Sequence, residues 1–265
     1  MSDAANEGAK ATAKALDASA ARRLAEGRHA DQSPFRRFLR DNRPAIGSLA
    51  VFVVMLLLFF IGNPTVFSQW SIYRAVLQGL PVVLFAVVPL VFVVTVGEID
   101  LSFPATMGMA GWAFALVIQA GYDPFLGIAA AVVVGLLLGF IVGWLVVYAN
   151  LSSLIATLGM NFMLRGLILI QTQGKSIAMV TLPQTAVYKI FAGDIFGIPA
   201  QFLWALVFIV ICAFLYNRHR FGARVHVTGD NPDAAQQMGI NIKRVRLQTY
   251  VFVGLARPLP ASSPS

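Results

Sequence analysis

The sequence predicts an all-α protein: a polytopic transmembrane helical bundle of about six complete spans plus a partial seventh, with a cytoplasmic N-terminus. Three observations predict it. Hydrophobic residues fill 58% of the 265 positions and charged residues 12%. Apolar runs long enough for a helix to cross hydrocarbon, about 18 residues or more, recur along the chain. The Lys and Arg residues gather in two blocks that an even number of such runs separates. The net charge of +8 therefore speaks to topology and not to nucleic acid.

Residues 1–43 are hydrophilic, Ala-rich and carry both signs of charge, which reads as a cytoplasmic tail. No short apolar core of a signal peptide lies near Met1, so the first span is the expected targeting element. That span runs from Ala45 to Gly62 and stops at Asn63-Pro64. The second covers Ala75 to Val96. The third, Ala105 to Ala120, is short and carries Gly108 and Gly111. The turn-like Gly121-Tyr122-Asp123-Pro124 leads to the fourth, Phe125 to Tyr148. The fifth, Leu154 to Ile170, contains Arg165, and the sixth runs from Gln201 to Tyr216. A last run, Leu247 to Ala256, is too short to cross a bilayer.

Charge sets the orientation. Of the 20 Lys and Arg, nine precede the first span and six lie between Asn217 and Arg246, whereas the loop from Gln171 to Ala200 holds only Lys175 and Lys189. Both basic blocks are expected in the cytoplasm and the 171–200 loop outside. In the fourth span Gly135, Gly139 and Gly143 recur every four residues, a face on which another helix can approach closely.

Several features carry no chemistry. Gly174-Lys175-Ser176 looks like the tail of a phosphate-binding loop, but Leu169 stands where that loop needs glycine. Asn150-Leu151-Ser152 is formally a glycosylation sequon. His29, His219 and His226 lack metal-ligand spacing, so no metal site is expected, and no set of nucleophile, base and orienting group marks a catalytic site. The lone Cys212 reads as a packing or lipid-facing residue.

Two stretches remain. In Val96–Pro104, VGEIDLSFP, the carboxylates Glu98 and Asp100 adjoin one of the most apolar runs; at membrane depth each costs about 3 kcal/mol on insertion scales, and such groups are usually functional. Asp100 and Ser102 are also placed to cap the third helix, Ser102 at the N-cap, with Pro104 breaking the chain between helices. Arg165 reads as a structural residue that snorkels or pairs with Glu98 or Asp100. In the cytoplasmic loop 217–246, Asn231 is a good N-cap, Pro232 and Asp233 suit a first turn, and Gly239 suits a left-handed stop, which predicts a helix over Pro232–Met238. Such a helix either docks onto another protein or merely connects two spans.

The phrase Phe221-Gly222 … Gly229, Asn231, Ala234-Ala235, Gly239-Ile240 resembles the cytoplasmic coupling segment of permease subunits of ribose-type ABC transporters, bacterial monosaccharide importers. Gly97-Glu98-Ile99-Asp100-Leu101-Ser102 is similar to that family's "GGIDLSVG", and Leu154–Gly166, LIATLGMNFMLRG, to its "FIATLGTxxxLRG". The three phrases stand in the family's order, and the resemblance covers roughly Arg37 to Leu255. It implies a transmembrane permease domain over 44–256 in the bacterial inner membrane, and a pore subunit that binds no cofactor and is not an enzyme. Its implied partners are a second permease subunit forming a homodimer, a cytoplasmic ABC ATPase that carries ATP and Mg, a periplasmic sugar-binding protein, and membrane lipid. Asn231, Pro232, Asp233, Ala234, Ala235, Gly239 and Ile240 would form the ATPase-coupling helix. Glu98, Asp100 and Ser102 would line the translocation path, accepting hydrogen bonds from sugar hydroxyls. A competing expectation is an ion-coupled secondary transporter that uses Glu98 and Asp100. The family pattern continues into further spans after Ala256, where this chain has the atypical tail 257–265, RPLPASSPS; the departure reads as a truncated or frame-shifted end, and a non-functional truncated permease is the third expectation.

Overall fold

The computed structural model describes residues 42–175 and 185–256. The chain divides into two compact units between Gln69 and Trp70. In the first, α1 (Arg43–Gly62) is followed by a single turn, α2 (Pro64–Phe67). Asn63 ends α1 and starts α2, its side chain accepting the Val66 N–H at 3.3 Å. Helix α1 has no buried residue and presents Leu49, Leu58 and Ile61 outward, the surface of a helix made for lipid.

The second unit holds α3 (Trp70–Thr95), α4 (Phe103–Gln119), α5 (Pro124–Val147), α6 (Ser153–Thr172) and α7 (Ala186–Ala192). A two-stranded antiparallel hairpin follows, β1 (Asp194–Ile195) and β2 (Ile198–Pro199), with Asp194 opposite Pro199. The chain continues through α8 (Ala200–Asn217), α9 (Arg220–Asp230), α10 (Pro232–Gln237) and α11 (Ile242–Ala256). Among the described residues five helices, α1, α3, α5, α6 and α8, are long and apolar enough to cross a membrane, and α4 is a shorter apolar helix of 17 residues.

A central cluster joins Val93 of α3, Ala105 of α4, Val142 and Val146 of α5, Met160 and Leu164 of α6, and Tyr250 and Val253 of α11. Helices α5 and α11 touch backbone to backbone. A Cβ on Gly139 would stand 2.6 Å from the Tyr250 carbonyl oxygen, and one on Gly254 would stand 2.3 Å from that of Gly135. Gly143 leaves room for the Tyr250 side chain in the same way, with a Cβ there 2.9 Å from the Tyr250 Cβ. In lipid, where no hydrophobic force pulls helices together, such close approach supplies the dispersion energy that does.

At one end of this unit, Arg74 of α3 pairs with Asp194 of the hairpin and the Trp204 indole donates to the Ile190 carbonyl at 3.0 Å. At the other end gather the α3–α4 connection, the α5–α6 turn and α9–α11. Lys243 there lies 5.9 Å above the Tyr148 ring. Cys212 is buried in the cluster of Phe92, Val96, Val225 and Val245.

Three elements differ from the sequence expectation. The loop 217–246 contains a second helix, α9, which the glycines at 222 and 229 disguise; Phe221, Val225 and Thr228 recur at helical spacing, and the His219 ring nitrogen caps the start by accepting the Phe221 N–H at 3.1 Å. The last helix begins at Ile242 and not at Leu247, because Asn241 caps it, accepting the Arg244 N–H at 3.0 Å, and its first turns carry the basic residues expected in a loop. The 171–200 loop holds α7 and the hairpin. The tail 257–265 lies outside the described residues.

A matched pair of substitutions checks the α5–α11 contact. Gly139→Ala puts a methyl into the Tyr250 carbonyl and is expected to destabilise by about 1–3 kcal/mol, whereas Gly159→Ala, with nothing within 4 Å, leaves stability unchanged or raises it. Thermal unfolding in detergent micelles reads the difference.

Candidate functional site

The site is built on a break in the helical ladder. Helix α3 ends in a paired stop: the Glu98 N–H donates to the Val93 carbonyl at 3.1 Å and the Gly97 N–H to that of Val94 at 3.0 Å. Gly97 sits at φ +82, the left-handed conformation this stop requires and glycine supplies without strain. The chain then runs unwound through Ser102, and α4 starts at Phe103 with Pro104 in its first turn, where a missing N–H costs nothing.

This run is buried. Glu98 is 9% exposed, Asp100 5% and Ser102 0%. Its polar groups find partners on three elements. The Ile99 N–H donates to the Ser153 hydroxyl at 3.2 Å, and Asn161 of α6 donates from Nδ2 to the Leu101 carbonyl at 2.8 Å. Asp100 Oδ1 accepts both the Ser102 N–H at 2.8 Å and the Ser102 hydroxyl at 2.6 Å. Ser102 thus occupies the N-cap position of α4, but its hydroxyl turns back to Asp100 and does not cap the helix. The Ser102 carbonyl accepts the Thr106 hydroxyl at 3.0 Å.

Asn161 lies eight residues into α6, about 12 Å along it at 1.5 Å per residue. The run therefore reaches from the α6 entrance at Ser153 to a level two turns inside the bundle. That inward course explains why α4 is short: part of the depth a span must cover is covered here by unwound chain. Unwound backbone at membrane depth is tolerated where it is buried in protein or lines a wet cavity.

Glu98 meets Arg246 of α11, with Arg246 Nη1 3.2 Å from Glu98 Oε1. Sequence reasoning left Arg246 in the basic loop and offered Arg165 as the partner. The structure keeps Arg165 apart, exposed on α6, and no ion pair involves it among the described residues. The Tyr250 hydroxyl lies within electrostatic reach of Glu98 and Asp100. Arg246 follows Lys243 and Arg244 in the first turns of α11, and nothing in the sequence set it apart from those two.

Helices α9 and α10 adjoin this run directly. Helix α10 starts at Asn231, whose Oδ1 accepts the Ala234 N–H at 3.0 Å, and carries Asp233 in its first turn and buried Ala235. It stops as α3 does, with the Ile240 N–H on the Ala235 carbonyl at 3.0 Å and Gly239 at φ +78. Helix α9, just before it, lies across the end of α3 so closely that a Cβ on Gly229 would stand 1.7 Å from the Thr95 carbonyl oxygen. The Thr95 hydroxyl in turn shares a 2.8 Å hydrogen bond with that of Tyr216 on α8.

A carboxylate-bearing break inside a bundle of long apolar helices, with the capped helices α9 and α10 mounted against it, is the architecture of a polytopic membrane protein. A family model described as the permease component of the branched-chain amino acid transport system matches residues 71–256, and the chain belongs to that family. The family and the long apolar helices together make it a multi-pass inner membrane protein. An autoinducer 2 import system permease protein of Salmonella typhi is 28% identical over 218 residues, which cover 82% of this chain and 61% of that protein. A D-allose transport system permease protein of Escherichia coli K12 is 32% identical over 169 residues, 63% of this chain and 51% of the relative. An L-arabinose ABC transporter permease protein of Azospirillum brasilense is 28% identical over 209 residues, 79% and 60% respectively. The chain thus spans about 61% of the length of the first of these relatives. No solved structure matches it.

The Glu98–Arg246 pair is checked by a double-mutant cycle. Arg246→Ala leaves a carboxylate 9% exposed without its ion partner and is expected to cost about 1–3 kcal/mol. Glu98→Gln in the same background is expected to recover most of that loss, a coupling that independent sites would not give.

Proposed function

We propose that this chain is the pore-forming permease subunit of an ATP-driven importer that carries a monosaccharide or similar polyol inward. The relatives' names support the substrate class, since allose and arabinose are both polyhydroxylated and uncharged. Helix α10 would seat in a groove of a cytoplasmic ABC ATPase that holds ATP and Mg. A second copy of the chain would complete the path, and a periplasmic sugar-binding protein would deliver the substrate.

The observation that carries this reading is the mounting of α10. A helix capped at both ends is held on α9, and α9 touches the last turn of α3 immediately before the unwound run. A push on α10 therefore has a rigid route to the end of α3 through Gly229 and Thr95. A second route runs through α11 to Arg246 and Glu98. Moving one element against another around a fixed midplane site is what alternating access needs. Asp100 and Ser102 would offer acceptors to substrate hydroxyls as the run is displaced. Glu98 already holds Arg246, which argues for a linking role and against its use as the coupling carboxylate of an ion-driven carrier.

Reconstitution in proteoliposomes with the cognate ATPase and binding protein tests the proposal. Uptake of labelled D-allose or L-arabinose that requires ATP is the expected result. Uptake driven by an ion gradient without ATP, or uptake of L-leucine and of no sugar, would overturn it. In the same assay Asn231→Ala, which removes a cap contributing about 1 kcal/mol, is expected to lower ATP-driven uptake with membrane insertion unchanged. Asp100→Asn is expected to lower uptake as well; unaltered uptake in an assembled Asp100→Asn transporter removes the path role of that carboxylate.

A further inference from the structure

Arg165 has an unusual position. Helix α6 is 20 residues long, and its thirteenth residue lies about 4 Å past the midpoint at 1.5 Å rise per residue. Snorkelling serves basic residues near helix ends, yet the nearer end of α6 is about 11 Å away. Helical side chains also lean toward their own N-terminus, here away from that nearer end. The guanidinium is exposed, and no carboxylate pairs with it among the described residues. The stretch 176–184, SIAMVTLPQ, contains no acidic residue.

A bare guanidinium in hydrocarbon costs about 3 kcal/mol or more. Its surroundings are not purely hydrocarbon. Between α4 and α6 lies a groove of about 450 Å³ whose walls include Pro104, Ala105, Gly108, Arg165, Thr172 and Lys175. That volume falls in the range of ligand clefts, about 300–1,000 Å³. Small residues on the α4 side keep it open: even a Cβ on Gly108 would come within 3.2 Å of the Ile168 side chain.

Three polar residues of α6, Asn161, Arg165 and Thr172, fall on one line with Ile168 between the last two. Asn161, Arg165, Ile168 and Thr172 recur at i, i+4, i+7 and i+11 and so share a face. Asn161 ends the line inside the bundle, where its Nδ2 holds the Leu101 carbonyl of the unwound run while its Oδ1 is buried with no hydrogen-bond partner. An unused acceptor there costs free energy unless something comes to fill it. The line thus joins the outer end of α6, through the membrane centre, to Asp100 and Ser102.

We propose that the α4–α6 groove is a water-filled wall of the substrate path, with Arg165 donating its fork of N–H groups to the hydroxyls of a passing uncharged polyol. The proposal rests on the importer reading and assigns that site a cationic donor halfway across, complementary to the acceptors at Asp100 and Ser102. It makes Arg165 a substrate-contacting residue and not a structural one.

Cysteine accessibility in membrane vesicles tests it on the full chain, with the native Cys212 replaced by alanine. Single cysteines at Ile168 and Thr172 report the groove. Cysteines at Met163 and Ile170, exposed on another face of α6 at similar depth, serve as controls. The thiolate is the reacting species and forms in water, so a membrane-impermeant cationic methanethiosulfonate is expected to label the groove positions about tenfold faster than the controls. Equal rates at all four positions would overturn the proposal. Groove labelling that is present in phosphatidylcholine vesicles and lost on adding phosphatidylglycerol would overturn it too, assigning the groove to an anionic headgroup. Arg165→Gln is expected to raise the KM for sugar uptake, with Arg165→Lys recovering part of the loss. Labelling needs neither ATP nor sugar, so a dry groove in a chain that supports ATP-driven uptake refutes this inference alone. A wet groove in a chain that shows no such uptake refutes the importer reading alone.

Discussion

The connection between α3 and α4, Val96–Ser102, breaks the helical ladder inside a bundle of apolar helices, and much of the second unit is arranged around satisfying its polar groups. An unpaired backbone group in such surroundings costs several kcal/mol. The run borrows partners from Ser153 and Asn161 of α6 and from its own Asp100, and closes its first residues onto the last turn of α3. Glu98 adds the charge of Arg246 from α11. Helices α6 and α11 are therefore held in place by the needs of the break as well as by their apolar faces.

Close backbone contact gives these connections stiffness. Glycine at 139 and 254 lets α11 lie on α5, and glycine at 229 lets α9 lie on the end of α3. Packed interfaces of this kind resist continuous deformation and shift between discrete arrangements. A displacement of α9 and α10 would then be passed to the unwound run and not absorbed on the way. The aromatic contacts among Phe92, Phe221 and Phe252, with ring centroids 4.9 to 5.9 Å apart, reinforce the same junction of α3, α9 and α11.

Much of the fold was legible in the sequence, because a span is written as an apolar run. The capped helix α10 was legible for the same kind of reason: Asn231, Pro232 and Gly239 act locally, so their spacing carries the outcome. Helix α9 was not, since Gly222 and Gly229 lower its local propensity and are repaid only by the close approach of Tyr216 and Thr95 from other helices. The site was half legible. Glu98 and Asp100 stood out by cost, and Gly97 after an apolar run carried a readable stop signal that the carboxylates overshadowed. The partner of Glu98 was not readable, because Arg246 is 148 positions away and only the packing of α11 brings it there.

The central claim is that helices α9 and α10 and the unwound run move together. The most direct measurement is the distance between spin labels at Gln237 on α10 and Ile99 in the run, both on exposed positions, by double electron–electron resonance in the assembled transporter. One distance distribution, unchanged between nucleotide-free and ATP-bound states while labels across the membrane report movement, is the predicted result. A distance that changes with nucleotide would mean that α10 slides over the run, and would contradict the claim that Gly229, Thr95, Glu98 and Arg246 link them.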